Sequence, residues 1–263
     1  MSINWQQAPI DDRGLAFGDG CFETLRIAQG QAPFWPQHKQ RLLTGLTRLG
    51  ISACAQTLDQ ILKEACQNTT HGILKIIVTR GAGGRGYDGS HLNQPHYYPR
   101  TFPYTPLPRE RYAQGMVVGE SRVQLSAQPL LAGIKHLNRL EQVLARHEAA
   151  EHGWHEALLR DGHDQPVELS AMNLFLRAGK QWWTSSLTHA GVKGVARQWV
   201  LEQLSPTLLV SQHLPFPETQ VEEAFGCNSI MGIVPIRTLG ARSLTVGDET
   251  LGLQQQWEQL WHG

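Results

Sequence analysis

The sequence predicts an α+β chain, with strands and helices mixed in two packed domains. Three observations predict it. At 263 residues the chain exceeds the usual span of one compact core. Strand-like and helix-like segments intermix without strict βαβ alternation, which disfavours a single doubly wound sheet. A stretch over 103–111 shows neither periodicity and sits at the end of a Gly- and Pro-rich region over 81–108. The predicted division is therefore an N-terminal domain over 1–108, a linker over 109–115 and a larger C-terminal domain over 116–263.

Along the chain, residues 21–27 alternate as a half-buried strand, and Ala28-Gln29-Gly30-Gln31 reads as a hairpin turn into a second short strand ending near Trp35. Pro36 suits a first helical turn, after which Leu42, Leu43, Leu46 and Leu49 recur at helical spacing until Gly50 stops them. A second helix is predicted over 58–66 and a buried strand over 73–79. In the second half the pattern predicts a strand over 116–124, a helix over 137–151 with an apolar face of Leu137, Leu140, Val143 and Leu144, and strands over 157–159, 168–177 and 181–184. A helix over 194–204, a strand over 207–212, a short helix over 218–224, strands between 225 and 238 and a helix over 251–261 complete it.

Lys plus Arg equals Asp plus Glu, 23 of each, and no run of like charge appears, so neither a nucleic-acid nor an anionic-membrane partner is expected. No apolar stretch approaches the roughly 20 residues that cross a bilayer. The four cysteines Cys21, Cys54, Cys66 and Cys227 are scattered, which reads as reduced thiols in a cytoplasmic protein. A small-molecule substrate is the expectation.

Lys135 lies in Leu131-Ala132-Gly133-Ile134-Lys135-His136-Leu137, where apolar neighbours favour the neutral amine that imine formation with an aldehyde requires. Spacing alone does not separate it from a lysine that snorkels off the end of an element. Glu168 sits in a strand-like run, where an inward carboxylate needs a cationic partner; an exposed glutamate fits the same pattern. Arg41 flanks the leucine stripe of the first long helix and has the fork that grips phosphate, or else is solvated. Gly191-Val192-Lys193-Gly194-Val195-Ala196-Arg197 opens a helix whose amides could approach an anion. Gly81-Ala82-Gly83-Gly84-Arg85-Gly86 matches a dinucleotide fingerprint but lacks the helix that must follow, and is read instead as a mobile loop carrying Arg85 to a substrate carboxylate. His147 and Glu151, at i and i+4 with His155 near, read as a solvated helix face, with no metal expected.

Together, several segments resemble the fold-type-IV class of pyridoxal-phosphate enzymes, which holds branched-chain aminotransferases, D-amino acid aminotransferases and 4-amino-4-deoxychorismate lyases. They are Phe17-Gly18-Asp19-Gly20-Cys21-Phe22-Glu23-Thr24, the run from His38 to Leu42, Thr79-Arg80-Gly81, Ile134-Lys135, Glu156-Ala157-Leu158-Leu159, the run from Glu168 to Phe175, and Gly194 to Arg197. Within the class, Gly83-Gly84-Arg85-Gly86-Tyr87 and the stretch from Leu131 to Val143 look most like the aminodeoxychorismate lyases. The resemblance implies a two-domain enzyme, commonly a homodimer, with its site at the domain interface and pyridoxal 5'-phosphate as cofactor. It implies Lys135 as the Schiff-base lysine, Glu168 as partner of the ring nitrogen, and Arg41, the backbone of Val195 and Ala196, and Asn228 and Ser229 as the phosphate cup. Phe22 would contact the cofactor region, and Arg85, with Arg80 second, would bind substrate carboxylate. The implied reaction converts 4-amino-4-deoxychorismate to 4-aminobenzoate and pyruvate, with Lys135 as anchor, base and releasing nucleophile. A D-amino acid or branched-chain aminotransferase, or a non-catalytic cofactor-binding protein, would share the cofactor residues. Two departures stand out: Ala196 lacks the hydroxyl common at the phosphate helix, and Pro166-Val167 replaces the usual Gly and Thr flavour before the glutamate.

Overall fold

A computed structural model describes residues 8–92 and 94–261. The chain falls into two compact units: the first runs up to Thr105 and also takes in Ile134–Asn138, and the second comprises Pro106–Gly133 and Arg139–Gly263. This corrects the expected division, since Lys135 belongs with the first unit rather than the C-terminal one. The expected linker is also structured, because Arg109–Gln114 forms a short helix.

In the first unit, α1 (Arg13–Phe17) precedes β1 (Gly20–Ile27), followed by α2 (Trp35–Arg48), α3 (Ala55–Asn68), β2 (Gly72–Thr79) and β3 (His96–Phe102). The three strands form an antiparallel sheet in the order β1-β2-β3, with Gly20 opposite Thr79 and Thr79 opposite His96. Period-two alternation buries Cys21, Glu23, Leu25 and Ile27 on one face of β1, and α2 packs on β1 with Trp35, His38, Leu42, Gly45 and Leu46 buried. The hairpin expected after β1 stops at one bridge, Ala28 to Gln31, because α2 starts at Trp35 with Pro36 in its first turn and leaves no residues for a return strand. β3 was hidden in the sequence by Pro95 and Pro99. As the edge strand it tolerates Pro99, whose missing N–H costs no ladder bond there. The segment Ile134–Asn138 runs antiparallel beside the start of β1: the Phe22 amide donates to the Lys135 carbonyl (2.9 Å) and the Leu137 amide to the Gly20 carbonyl (3.0 Å).

The second unit runs α4 (Arg109–Gln114), β4 (Met116–Leu125), α5 (Leu140–Glu151), β5 (Glu156–Asp161), β6 (Pro166–Leu169), β7 (Asn173–Ala178), β8 (Gln181–Ser185), α6 (Val195–Leu204), β9 (Leu208–Ser211), β10 (Glu223–Asn228), β11 (Gly232–Leu239), β12 (Arg242–Ser243) and α7 (Asp248–Gln259). Its sheet runs β10-β11-β4-β5-β6-β7-β8-β9, and β10 also pairs with β7, so β4, β5, β6, β7, β10 and β11 close into a ring. Met116, Val118, Leu158, Leu174, Leu176, Ala224, Val234 and Ile236 form one core of this unit, and Ala145, Ala149, Ala157 and Leu159 form a second beneath α5.

Three expectations change here. The strand expected over 168–177 breaks into β6 and β7, because the Leu169 amide turns back to the Met172 carbonyl (2.8 Å). The helix expected over 218–224 is a single 3-10 turn, Glu218–Gln220, before β10 takes over at Glu223. On α5 the leucine face does not meet the core: Ala145, Glu148 and Ala149 are buried, while Leu140 is 76%, Val143 43% and Leu144 56% exposed. Small residues allow the helix to approach the strands closely, and the larger apolar side chains take the opposite side. No helix among the described residues is long and apolar enough to cross a membrane.

Candidate active site

The first unit gathers Lys135, Phe22, Glu23, His38 and Arg41. Pairing of the 134–138 segment with β1 places the half-buried Lys135 ammonium 4.5 Å from the centroid of the Phe22 ring. Lys75, one β2 residue opposite Thr24, approaches the same ring at 5.3 Å. Behind Phe22, on the buried face of β1, Glu23 is fully enclosed. Arg41 donates from Nε to Glu23 Oε1 (2.7 Å) and from Nη2 to Oε2 (2.6 Å), a bidentate pair. His38 Nδ1 lies 2.7 Å from Glu23 Oε2. Burial pushes the Glu23 carboxyl up, but the Arg41 and His38 groups outweigh it and hold the pKa at about 2. Burial lowers the His38 pKa against the opposing pull of Glu23, with Arg41 and Lys135 adding to the lowering. Since a carboxylate only accepts, His38 Nδ1 carries the proton in this contact.

The two candidate substrate arginines part company. Arg80 Nε donates to Asp19 Oδ2 (2.7 Å), Nη2 to Asp19 Oδ1 (3.1 Å) and the Leu49 carbonyl (2.7 Å), and Nη1 to the Gly50 carbonyl (3.0 Å). Its fork is committed to holding the unit together. Arg85 is exposed on the Gly-rich loop, whose following residues are turns with no helix, in agreement with the rejected dinucleotide site. The loop is pinned more firmly than its composition suggests: Arg13 donates to the carbonyls of Gly86 (3.0 Å) and Tyr87 (2.7 Å) while its Nε holds Asp19 (3.0 Å).

The second unit builds another cluster from strand register. Glu168 on β6 lies opposite Asn173 on β7, and Asn173 lies opposite Cys227 on β10, so the three form a row across the ring. Glu168 Oε2 accepts from the Val192 amide (2.8 Å). Asn173 Nδ2 donates to the Val192 carbonyl (2.8 Å), and its Oδ1 accepts from the Gly194 amide (3.1 Å), which fastens the start of α6 to the row. Val195 and Ala196 form the first turn of α6, and no side chain caps it, so its amides remain suited to an anion. Gly194 leaves no room for a Cβ, which would collide with Asn173 Oδ1. Arg197, 4% exposed, donates from Nη2 to the Ser185 carbonyl (2.8 Å), and its Nε is buried without a partner among the described residues. Its charge acts on Glu168 and Cys227, the latter a thiol that burial pushes up to about 12.

Asn228 is engaged in its own turn, with Nδ2 to the Ala171 carbonyl (3.0 Å) and Oδ1 accepting the amides of Ile230 (3.0 Å) and Met231 (2.7 Å). Its side chain thereby shapes the loop that carries Ser229. Glu23, His38, Asn173 and Arg197 are the residues that sequence reasoning missed. Their signals were present: Glu23 occupies the buried phase of an alternating strand, and His38 and Arg41 stand at i and i+3 on one helix face.

The family model for amino-transferase class IV matches residues 20–239. An aminodeoxychorismate lyase of Vibrio harveyi is 33% identical over 238 residues, covering 89% of this chain and 88% of the relative. A D-alanine aminotransferase of Listeria innocua is 27% identical over 241 residues, covering 86% of this chain and 80% of the relative. Among solved structures, the 4-amino-4-deoxychorismate lyase of Pseudomonas aeruginosa matches with a TM-score of 0.91 at 37% identity, covering 97% of this chain and 95% of that one. A match over most of the chain in sequence and in fold carries the conclusion: the chain belongs to the amino-transferase class IV family.

Proposed function

We propose that this chain is a pyridoxal-phosphate-dependent carbon–oxygen lyase converting 4-amino-4-deoxychorismate to 4-aminobenzoate and pyruvate, a step toward folate. The observation that carries the reading is Lys135, an amine held over Phe22 in a chain similar to two aminodeoxychorismate lyases over most of its length. The residues present fit the cofactor. Lys135 offers the amine for the aldehyde, Glu168 the carboxylate for a protonated ring nitrogen, and Arg41, the Val195 and Ala196 amides and Ser229 the donors for a phosphate. The uncapped first turn of α6 and the glycine before it suit an anion that approaches the backbone.

When bound, pyridoxal phosphate supplies an electron sink for the charge left as a proton departs from the substrate carbon that bears nitrogen. With the cofactor bound, Lys135 would hold it and, once its amine is free, would take the proton from the substrate carbon that bears nitrogen as general base. Departure of the side chain as enolpyruvate, which gains a proton to become pyruvate, makes the ring aromatic and strongly favours product. Glu168 would face the ring nitrogen and favour its protonated form, and the positive charge of Arg197 favours the carboxylate form of Glu168. Arg85 binds a substrate carboxylate, since it is exposed, whereas Nε, Nη1 and Nη2 of Arg80 all donate within the first unit. Two copies of the chain form a homodimer, a reading supported by the exposed leucine face of α5.

Purified protein given 4-amino-4-deoxychorismate should release 4-aminobenzoate and pyruvate in equal amounts. Turnover of D-alanine or L-leucine with 2-oxoglutarate, without 4-aminobenzoate formation, would instead make it an aminotransferase.

A further inference from the structure

Arg41 does not stand alone on its helix. Its guanidinium carries five N–H donors, and Glu23 takes two of them through both carboxylate oxygens. Glu23 is itself fully buried and receives a third bond from His38 Nδ1 at 2.7 Å. The arrangement follows from two periodicities. Residue 23 falls on the inward phase of β1, and residues 38 and 41 fall on one face of α2, so both side chains reach the same carboxylate.

A buried ion pair is a poor device for stability alone, because apolar residues of similar volume hold a fold as well or better. What the pair does supply is orientation. An arginine side chain has several freely rotating bonds, and a bidentate contact fixes both the plane of its fork and the direction of its remaining donors. His38 in turn holds Glu23 through Oε2, the oxygen that also accepts from Arg41 Nη2.

We infer that Glu23 and His38 are positioning residues that aim the Arg41 fork at the cofactor phosphate, and that phosphate affinity depends on them although neither touches phosphate. This rests on the reading of Arg41 as a phosphate ligand. Charge and orientation act here with opposite sign. Replacing Glu23 by Gln removes a negative charge beside the phosphate site, which by Coulomb attraction alone would tighten phosphate binding. Loss of orientation weakens it.

The test compares pyridoxal 5'-phosphate with pyridoxal, which lacks the phosphate, by the visible absorption each gives on binding the apoprotein. The Kd for pyridoxal divided by the Kd for pyridoxal 5'-phosphate measures phosphate recognition apart from the bond to Lys135. Glu23→Gln and His38→Leu should each lower that ratio by roughly tenfold, with pyridoxal binding little changed, and His38→Asn, which restores an N–H near the Nδ1 position, should recover most of it. Arg41→Ala provides the reference loss. A ratio unchanged or raised in His38→Leu and Glu23→Gln, while Arg41→Ala lowers it, overturns the inference and leaves the Arg41 reading standing. A ratio that Arg41→Ala leaves unchanged removes the Arg41 reading and the inference with it. If Glu23→Gln fails to fold by far-UV circular dichroism, His38→Leu and its Asn rescue decide, since they keep the Glu23–Arg41 pair.

Discussion

Phe22 and Lys135 are joined twice: the Phe22 amide donates to the Lys135 carbonyl at 2.9 Å, and the Lys135 ammonium stands 4.5 Å from the Phe22 ring centroid. The backbone bond sets where the lysine leaves the chain, and the ring sets where its amine ends. Phe22→Ala keeps the first and removes the second. It is expected to lower kcat/KM for the lyase reaction roughly tenfold, in line with about 1.4 kcal/mol of lost packing around the Lys135 side chain. Borohydride reduction of the holoprotein should still fix the cofactor covalently in Phe22→Ala, and should fail to do so in Lys135→Ala.

Acid stability should report on Glu23. Its folded pKa of about 2 lies below the ordinary 4.5, so the folded state gains from its ionisation above about pH 4.5 and loses that gain as pH falls toward 2. The gain is on the order of 3 kcal/mol. His38 acts in the same direction, because a lowered histidine pKa means that protonation below the ordinary 6.5 opposes folding. Urea midpoints measured between pH 7 and pH 3 should fall steeply in the wild type. Glu23→Gln should start lower and show a shallower acid limb, and equal slopes would contradict the assignment.

The two arginines should separate by the quantity they change. Arg80→Ala breaks bonds to Asp19, Leu49 and Gly50 and should cost about 2–3 kcal/mol of stability, seen as a lower Tm. Arg85→Ala should leave Tm unchanged and raise KM severalfold. A lowered Tm in Arg85→Ala would show the loop to be structural.

Gly194→Ala places a methyl group against Asn173 Oδ1 at the start of α6. The Gly194–Asn173 bond should break and the first turn shift, so that pyridoxal phosphate is lost faster on dialysis, with the visible absorption as the measure. Retention equal to wild type would exclude that turn from the phosphate site.

The exposed leucines of α5 give a test of assembly. Leu140→Glu with Leu144→Glu should shift the mass measured by light scattering toward that of one chain, whereas both positions, being more than half exposed, should tolerate the charge in the fold.

Much of this was readable in the residues, for reasons that also explain the failures. The strand over 21–27 was clear because a sheet buried on one face imposes a period of two, and α2 was clear because Pro36 and Gly50 punctuate its leucines. β3 was obscured because its prolines obey an edge-strand rule, and whether a strand is an edge is decided by pairing at a distance. On α5 the periodicity revealed an apolar face correctly but not what lies against it, and the core took the alanines. Lys135, Glu168 and Arg41 acquired meaning only as a set. The bond from Arg80 to Asp19 joins residues 61 positions apart and leaves no local trace, so the sequence did not show that the fork of Arg80 is engaged.

The closed ring of the second unit has a further consequence. Glu168, Asn173 and Cys227 share one row, and β7 and β10 each have hydrogen-bonded neighbours on both sides. A residue inserted into either strand could not be absorbed at a free border, and would turn the inward side chains outward around the ring. Length variation among homologues should therefore concentrate in the turns, such as those between β5 and β6 and between β7 and β8, while the strand lengths that carry the row stay constant.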